Sequence, residues 1–160
     1  MDAWMELTLL GKVTLAVVLG GIVGLEREVR HKAAGLRTHM LVTGAAALFT
    51  CLGELLIRYY ATLASPSLVQ ADPTRIIQAI AVGIGFIGAG TIIQREEEER
   101  VKNLTTASSI LFTSGIGIAT GLGSYYLAAG GTVLALIVNS ALGTVEKRYK
   151  SRRKERIEAE

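Results

Sequence analysis

Residues 7–39 read LTLLGKVTLAVVLGGIVGLEREVRHKAAGLRTH, an apolar run closed without a spacer by Glu26-Arg27-Glu28 and, eleven residues on, by Arg37-Thr38-His39. The run Leu7 to Leu25 approaches the ~20 mainly apolar residues a helix needs to cross a bilayer. It lacks the basic leader and cleavage context of a removable signal, so it is read as a first membrane span. Four further segments of this kind follow: Met40 to Tyr60, Ile76 to Gln94, Ala107 to Leu122 and Tyr125 to Val145. The fourth is the least apolar, and only Gly123-Ser124 separates it from the fifth, which makes that pair a tight helical hairpin. The expected fold is all-α and polytopic, with five transmembrane helices in a domain over residues 1–145 and a short charged tail over 146–160.

The rest of the composition agrees. Half of the 160 residues are hydrophobic, 18 are glycine and two are proline, so the bilayer is the expected partner of most of the surface. The net charge of +3 does not point to nucleic acid, because seven of the basic residues lie in the tail after Val145, a juxtamembrane pattern. A single cysteine, Cys51, excludes an internal disulfide and a thiol metal cluster within one chain.

Lysine and arginine in the connections set the expected orientation. Arg27, Arg30, Lys32 and Arg37 lie in the first connection, Arg95, Arg100 and Lys102 in the third, and seven more in the tail; the opposite side has Arg58 and Arg75. Positive flanks resist translocation, which places the N-terminus outside and the C-terminus in the cytoplasm. Trp4, Tyr59, Tyr60, Tyr125 and Tyr126 then fall together at the outer face as an aromatic belt. Lys12, inside the first span, reaches the interface by snorkelling or pairs with Glu54 in the second.

Sliding the chain by 68 residues brings Gly20 onto Gly88, Glu26-Arg27-Glu28 onto Gln94-Arg95-Glu96, Gly35 onto Asn103, and Leu36-x-Thr38 onto Leu104-x-Thr106. The match reads as a duplication in which helices one and two are repeated, in the same orientation, by helices three and four, with the fifth an addition.

Gly83-x-Gly85-x-x-Gly88 fits the dinucleotide-binding pattern literally but lacks its strand and soluble βαβ setting. With Gly90, and with Gly20, Gly24, Gly115, Gly117 and Gly121, these glycines are read as places where helices approach closely in lipid. The polar residues gather elsewhere: Glu26, Arg27, Glu28, Arg37, Thr38 and His39 at one junction, and Gln94, Arg95, Asn103, Thr105 and Thr106 at its repeat. Helix N-termini at 40 and 107 would present unpaired N–H groups that attract anions, with threonine hydroxyls as caps. Internal pairing of the carboxylates with Arg27 and Arg37, closing the mouth of the bundle, is the alternative. The run Glu96 to Glu99 reads as a solvated charge run rather than a magnesium site. No nucleophile, metal-ligand or cofactor pattern occurs, so no enzymatic activity, metal or cofactor is expected.

The stretches GGIVGLEREVRHKAAGLRTHMLVTGAAAL, GIGFIGAGTIIQ and VKNLTTASSILFTSGIGIATGLG closely resemble the MgtC/SapB family of bacterial inner-membrane proteins, over roughly Val17 to Gly143. The resemblance implies a multi-pass inner-membrane protein linked to adaptation to low magnesium and, in pathogens, to survival inside macrophages. It implies action as a modulator of other membrane machines, such as P-type ATPases or the F-type ATP synthase, rather than as a magnesium transporter; a small ion transporter or channel is the alternative. Its signature positions would be Glu26, Arg27, Glu28, Gly35, Leu36, Arg37, Thr38, Asn103, Thr105 and Thr106. Several relatives continue into a cytoplasmic ACT-like domain where this chain has only the tail, so roles that need that domain are not carried over. A bundle this small and glycine-rich is also expected to be able to pair with itself.

Overall fold

The computed structural model describes residues 3–63, 72–93 and 103–142. These form α1 (Ala3–Val29), α2 (Leu36–Leu63), α3 (Thr74–Ile93), α4 (Leu104–Gly121) and α5 (Tyr125–Ile137), the last continuing into a π-helical turn, Val138–Leu142. The expected tail, together with Gln94, Arg95 and the run Glu96 to Glu99, lies outside the described residues. In lipid a chain must satisfy its backbone groups internally, which is why apolar runs of this length become helices. α1, α2 and α3 are long and apolar enough to cross a membrane, α5 is apolar but shorter, and α4 is the exception in composition.

The helices run past the apolar segments that announce them. α1 spans about 40 Å at the standard rise, more than the ~30 Å hydrocarbon core, so Glu26, Arg27 and Glu28 belong to its last turn rather than to a loop. It stops at His31, which adopts a left-handed conformation (φ 53°). Around it Lys32 N–H bonds to Arg27 O (3.0 Å) and His31 N–H to Glu28 O (2.9 Å), the paired bonds of a Schellman end. α2 then begins at Leu36, so Arg37, Thr38 and His39 are its first turn instead of preceding it.

α2 and α4 pack against each other in the middle of the bundle. α1 rests on both, α3 rests on α4 and more lightly on α2, and α5 lies along α4 and α1; among the described residues α1 and α3 do not touch. Exchanging α1–α2 with α3–α4 keeps the same set of neighbours among these four helices, an arrangement in line with the expected repeat, while α5 has no counterpart in it. One pair of contacts also agrees in register: a Cβ on Gly20 would meet His39 O at 2.5 Å, and one on Gly88 would meet Ala107 Cβ at 3.4 Å, positions that the 68-residue offset aligns.

α4 is the hub. Thr106, Thr113 and Thr120, seven residues apart, are all buried, together with Ser109, Ser114, Gly117 and Gly121. The hydroxyls of Thr113, Ser114 and Thr120 bond back to carbonyls of their own helix (2.7–3.0 Å), so small side chains with satisfied donors face the neighbours. Gly117 lies against Thr43 and Ala46 of α2, and Gly121 against Thr50. Gly20 and Gly24 of α1 admit α2 in the same way.

Gly83, Gly85, Gly90 and Gly115 are not close-approach points within this bundle: outside the backbone of its own helix, none has an atom of the described residues within 4 Å of its Cβ position. α3 touches the bundle along one stripe, Ile80, Ile84 and Gly88, and its other glycines fall outside that stripe. The expected aromatic belt is present as geometry: Trp4, Tyr59, Tyr60, Tyr125 and Tyr126 are exposed at one end of the bundle.

Candidate functional site

The polar junction at the other end is built on Arg27. Although it sits in the last turn of α1, its side chain turns inward and is only 1% exposed. Nε donates to Ala34 O (3.1 Å) in the α1–α2 turn, and Nη2 donates to Thr106 Oγ1 (2.7 Å) in the first turn of α4. One guanidinium thus ties three parts of the chain together, and its fork geometry is what allows two such bonds at a fixed angle.

Glu28 occupies the N-terminus of α2. Its Oε2 accepts the Leu36 N–H (3.0 Å), so the anion at that helix end belongs to the chain itself. Gly35 makes the approach possible, since a Cβ there would run into the Glu28 carboxylate. Glu26 pairs with Arg30 one turn on and accepts a bond from Ser140 in the π-helical turn (3.4 Å). Its Oε2 is buried with no hydrogen-bond partner among the described residues.

His39 lies one turn into α2, fully buried, with Nδ1 3.2 Å from Thr113 Oγ1 of α4. Its Nε2 and the Thr43 hydroxyl, one turn further along α2, are buried without partners among the described residues. The expected junction therefore divides. Arg27 meets Thr106 and His39 meets Thr113 between helices, whereas Glu28, Arg37 and Thr105 are exposed, Glu28 at the α2 N-terminus, and Thr38 is half-buried.

Two cap expectations change. α4 begins after Asn103, left-handed at φ 68°, with no side-chain cap, so Thr105 and Thr106 lie inside the helix. Asn103 instead donates Nδ2 to Thr91 O (3.3 Å), fastening α4 to the end of α3. Thr43 and Thr113 were not singled out in the sequence; the signal for the latter was the seven-residue spacing Thr106, Thr113, Thr120 inside the least apolar span.

At the aromatic end Lys12 donates to Gly121 O (3.0 Å), the last carbonyl of α4, and pairs with Glu54 (3.4 Å), which Arg58 also holds (2.9 Å). The Lys12–Glu54 pairing is present. Beyond the spans, Thr74 donates both its N–H (2.9 Å) and its hydroxyl (2.6 Å) to Asp72 at the start of α3, which keeps that carboxyl below its ordinary range. Among the described residues no three His, Cys, Asp or Glu side chains gather as a metal site would need.

Four helices around a hydroxyl-lined fifth, with a buried arginine at one end and an ion-paired lysine at the other, define a small helical membrane protein. The chain belongs to the MgtC family, whose pattern matches residues 13–148. It is 40% identical over 127 residues to the putative magnesium transporter YhiD of Escherichia coli K12, covering 79% of this chain and 57% of that protein. It is 39% identical over 129 residues to Protein MgtC of Brucella abortus (79% and 48%), and 36% identical over 133 residues to Protein MgtC of Salmonella typhimurium (83% and 52%). The chain thus spans about half the length of these relatives. No solved structure matches it.

Proposed function

We propose that the chain is a non-enzymatic protein of the bacterial inner membrane, N-terminus outside and C-terminus cytoplasmic, that binds and modulates a membrane transporter or ATPase during adaptation to low magnesium. In a pathogen the same activity would serve survival inside host cells. One observation carries this reading: the strongest polar groups of the junction, Arg27 and Glu28, are spent on bonds within the chain, to Ala34, Thr106 and Leu36. Groups so engaged hold helices in place rather than dehydrate a passing ion. What remains on the outside is apolar helix face, with Leu41, Val82, Phe86 and Leu127 all strongly exposed. Such faces recognise other helices or lipid.

The transporter reading has its own support in three buried, unpartnered polar atoms, Glu26 Oε2, His39 Nε2 and Thr43 Oγ1, and in the name of the YhiD relative. A deletion strain tests the link to magnesium, and a flux assay separates the readings. A deletion strain grown across magnesium concentrations should lose growth at the low end and regain it with the wild-type chain. Purified protein in sealed vesicles should pass no Mg²⁺ down an imposed gradient; flux that disappears in Glu26→Gln and Thr43→Val would replace the modulator reading with the transporter.

A further inference from the structure

The pattern that survives exchange of α1–α2 with α3–α4 is broken at one place. α5 covers the edge where α1 meets α4: Ala128 and Ala135 pack with Val23 of α1 and with Ile116 and Ala119 of α4, and a Cβ on Gly131 would meet Ile116 at 3.4 Å. The exchange carries that edge onto the one where α3 meets α2. There the structure has a groove of about 840 Å³, walled among the described residues by α2 and α3.

The groove has the dimensions and chemistry of a helix seat. Along α2 it runs from Leu41 to Leu56, about 22 Å or four turns at the standard rise. Every lining residue is apolar or glycine except Arg75, at one end. Ala45, Ala79 and Gly83 form hollows between Phe49 and Ile87, and the Cβ position of Gly83 faces open space, so branched side chains can enter as knobs. Arg75 has its nearest carboxylate, Asp72, at 3.9 Å, beyond a hydrogen bond, and suits an acceptor on an occupant. α3 is also the least covered of the three long spans, 17% of its apolar window being buried against 33% in α1 and 44% in α2.

We infer that this groove docks one apolar transmembrane helix of another membrane protein, seated against α2 and α3 as α5 is seated against α4 and α1. The inference rests on the partner-binding reading above and gives that partner a place.

The test uses the full chain in its native membranes, with the photoreactive residue p-benzoylphenylalanine replacing Phe49 in the groove or, separately, Val133 on the exposed face of α5. Illumination from position 49 should yield crosslinked peptides from a transmembrane helix of one other protein. Gly83→Leu or Ala79→Phe, which obstruct the groove, should lower that yield about tenfold. Gly85→Leu, in open space but outside the lining, should leave it unchanged, and protection of Cys51 from alkylation verifies that each variant is folded. Crosslinks to phospholipid alone, to a second copy of the chain, or undiminished by both obstructing variants would overturn the site. Capture of a foreign protein from position 133 alone would overturn this groove and spare the partner-binding reading. Capture from neither position would overturn both.

Discussion

Glycines that look alike in the sequence should answer substitution in opposite ways. At Gly24 an added Cβ would lie 2.8 Å from Leu36 Cα and 2.9 Å from Gly35 O, both backbone atoms of the α1–α2 turn that no rotamer change can move. Ordinary contact between such atoms is about 3.5 Å, so α1 and α2 would have to separate by about half an ångström or more at this point. Overpacking of this kind costs about 1–3 kcal/mol. At Gly83 the same methyl meets nothing within 4 Å. Both sites are helical, so the gain in helix propensity, about 1 kcal/mol for Gly→Ala, is common to the two and cancels in the comparison. Gly24→Ala should therefore be less stable than Gly83→Ala by about 1–3 kcal/mol. The chain carries its own reporter, since its single cysteine, Cys51, is 2% exposed and becomes alkylatable only when the bundle opens. Unfolding by sodium dodecyl sulfate in mixed micelles, followed by Cys51 alkylation, reads the difference directly. Equal midpoints, or a lower one for Gly83→Ala, would refute the assignment of Gly24 to a close helix contact.

Arg27→Met keeps most of the side-chain volume and removes both bonds of the guanidinium; at about 0.6–1.7 kcal/mol per interhelical bond in a membrane, the loss should be about 1–3 kcal/mol. In a double-mutant cycle with Thr106→Val, measured by the same alkylation assay, the two changes should be non-additive by roughly one such bond, and full additivity would deny the contact. Glu28→Ala uncaps α2 and should cost about 0.5–2 kcal/mol, seen as faster hydrogen exchange of the amides at 36–39, with the rest of the bundle unaffected. Asp72 supplies a pH dependence. Its carboxyl is held below its unfolded value of 3.8 by Thr74, so its contribution is complete above that value and is lost as pH falls through the lower folded one. Protection of the first amides of α3 should therefore fall below about pH 4, and Thr74→Ala, which removes the hydroxyl bond and keeps the N–H one, should weaken the effect.

The apolar runs announced the helices, and the hairpins followed from short connections. The ends did not follow, because charged residues at an interface join the last turn of a helix when their own chain supplies partners. Glu26, Arg27 and Glu28 looked like the first residues of a loop and are helical, Glu26 held by Arg30 and Ser140, Arg27 by Ala34 and Thr106, and Glu28 by the Leu36 amide. The direction of a side chain was equally invisible. Arg27 and Arg37 flank the same connection with the same charge, yet Arg27 on α1 is enclosed against Thr106 of α4 and Arg37 lies on an exposed face of α2. For the glycines, composition marks where close approach is possible, and only the stripe that α3 turns to the bundle decides that Gly88 uses the opportunity and Gly83 does not. Thr113 escaped notice because hydroxyls lower the apparent quality of a span, although burial of hydroxyls is what makes α4 the hub.

That last feature bears on how the protein is made. The helix touching all the others is also the one whose threonines and serines leave it short of the apolar character that α1, α2 and α3 have by themselves. Before its neighbours close round it, α4 would present to lipid the same small hydroxyl side chains that the bundle later encloses, those of Thr113, Ser114 and Thr120 already bonded to carbonyls of their own helix. The order of the chain puts α1, α2 and α3 ahead of it and α5 directly behind it, so three of the four helices that enclose α4 are made before it is.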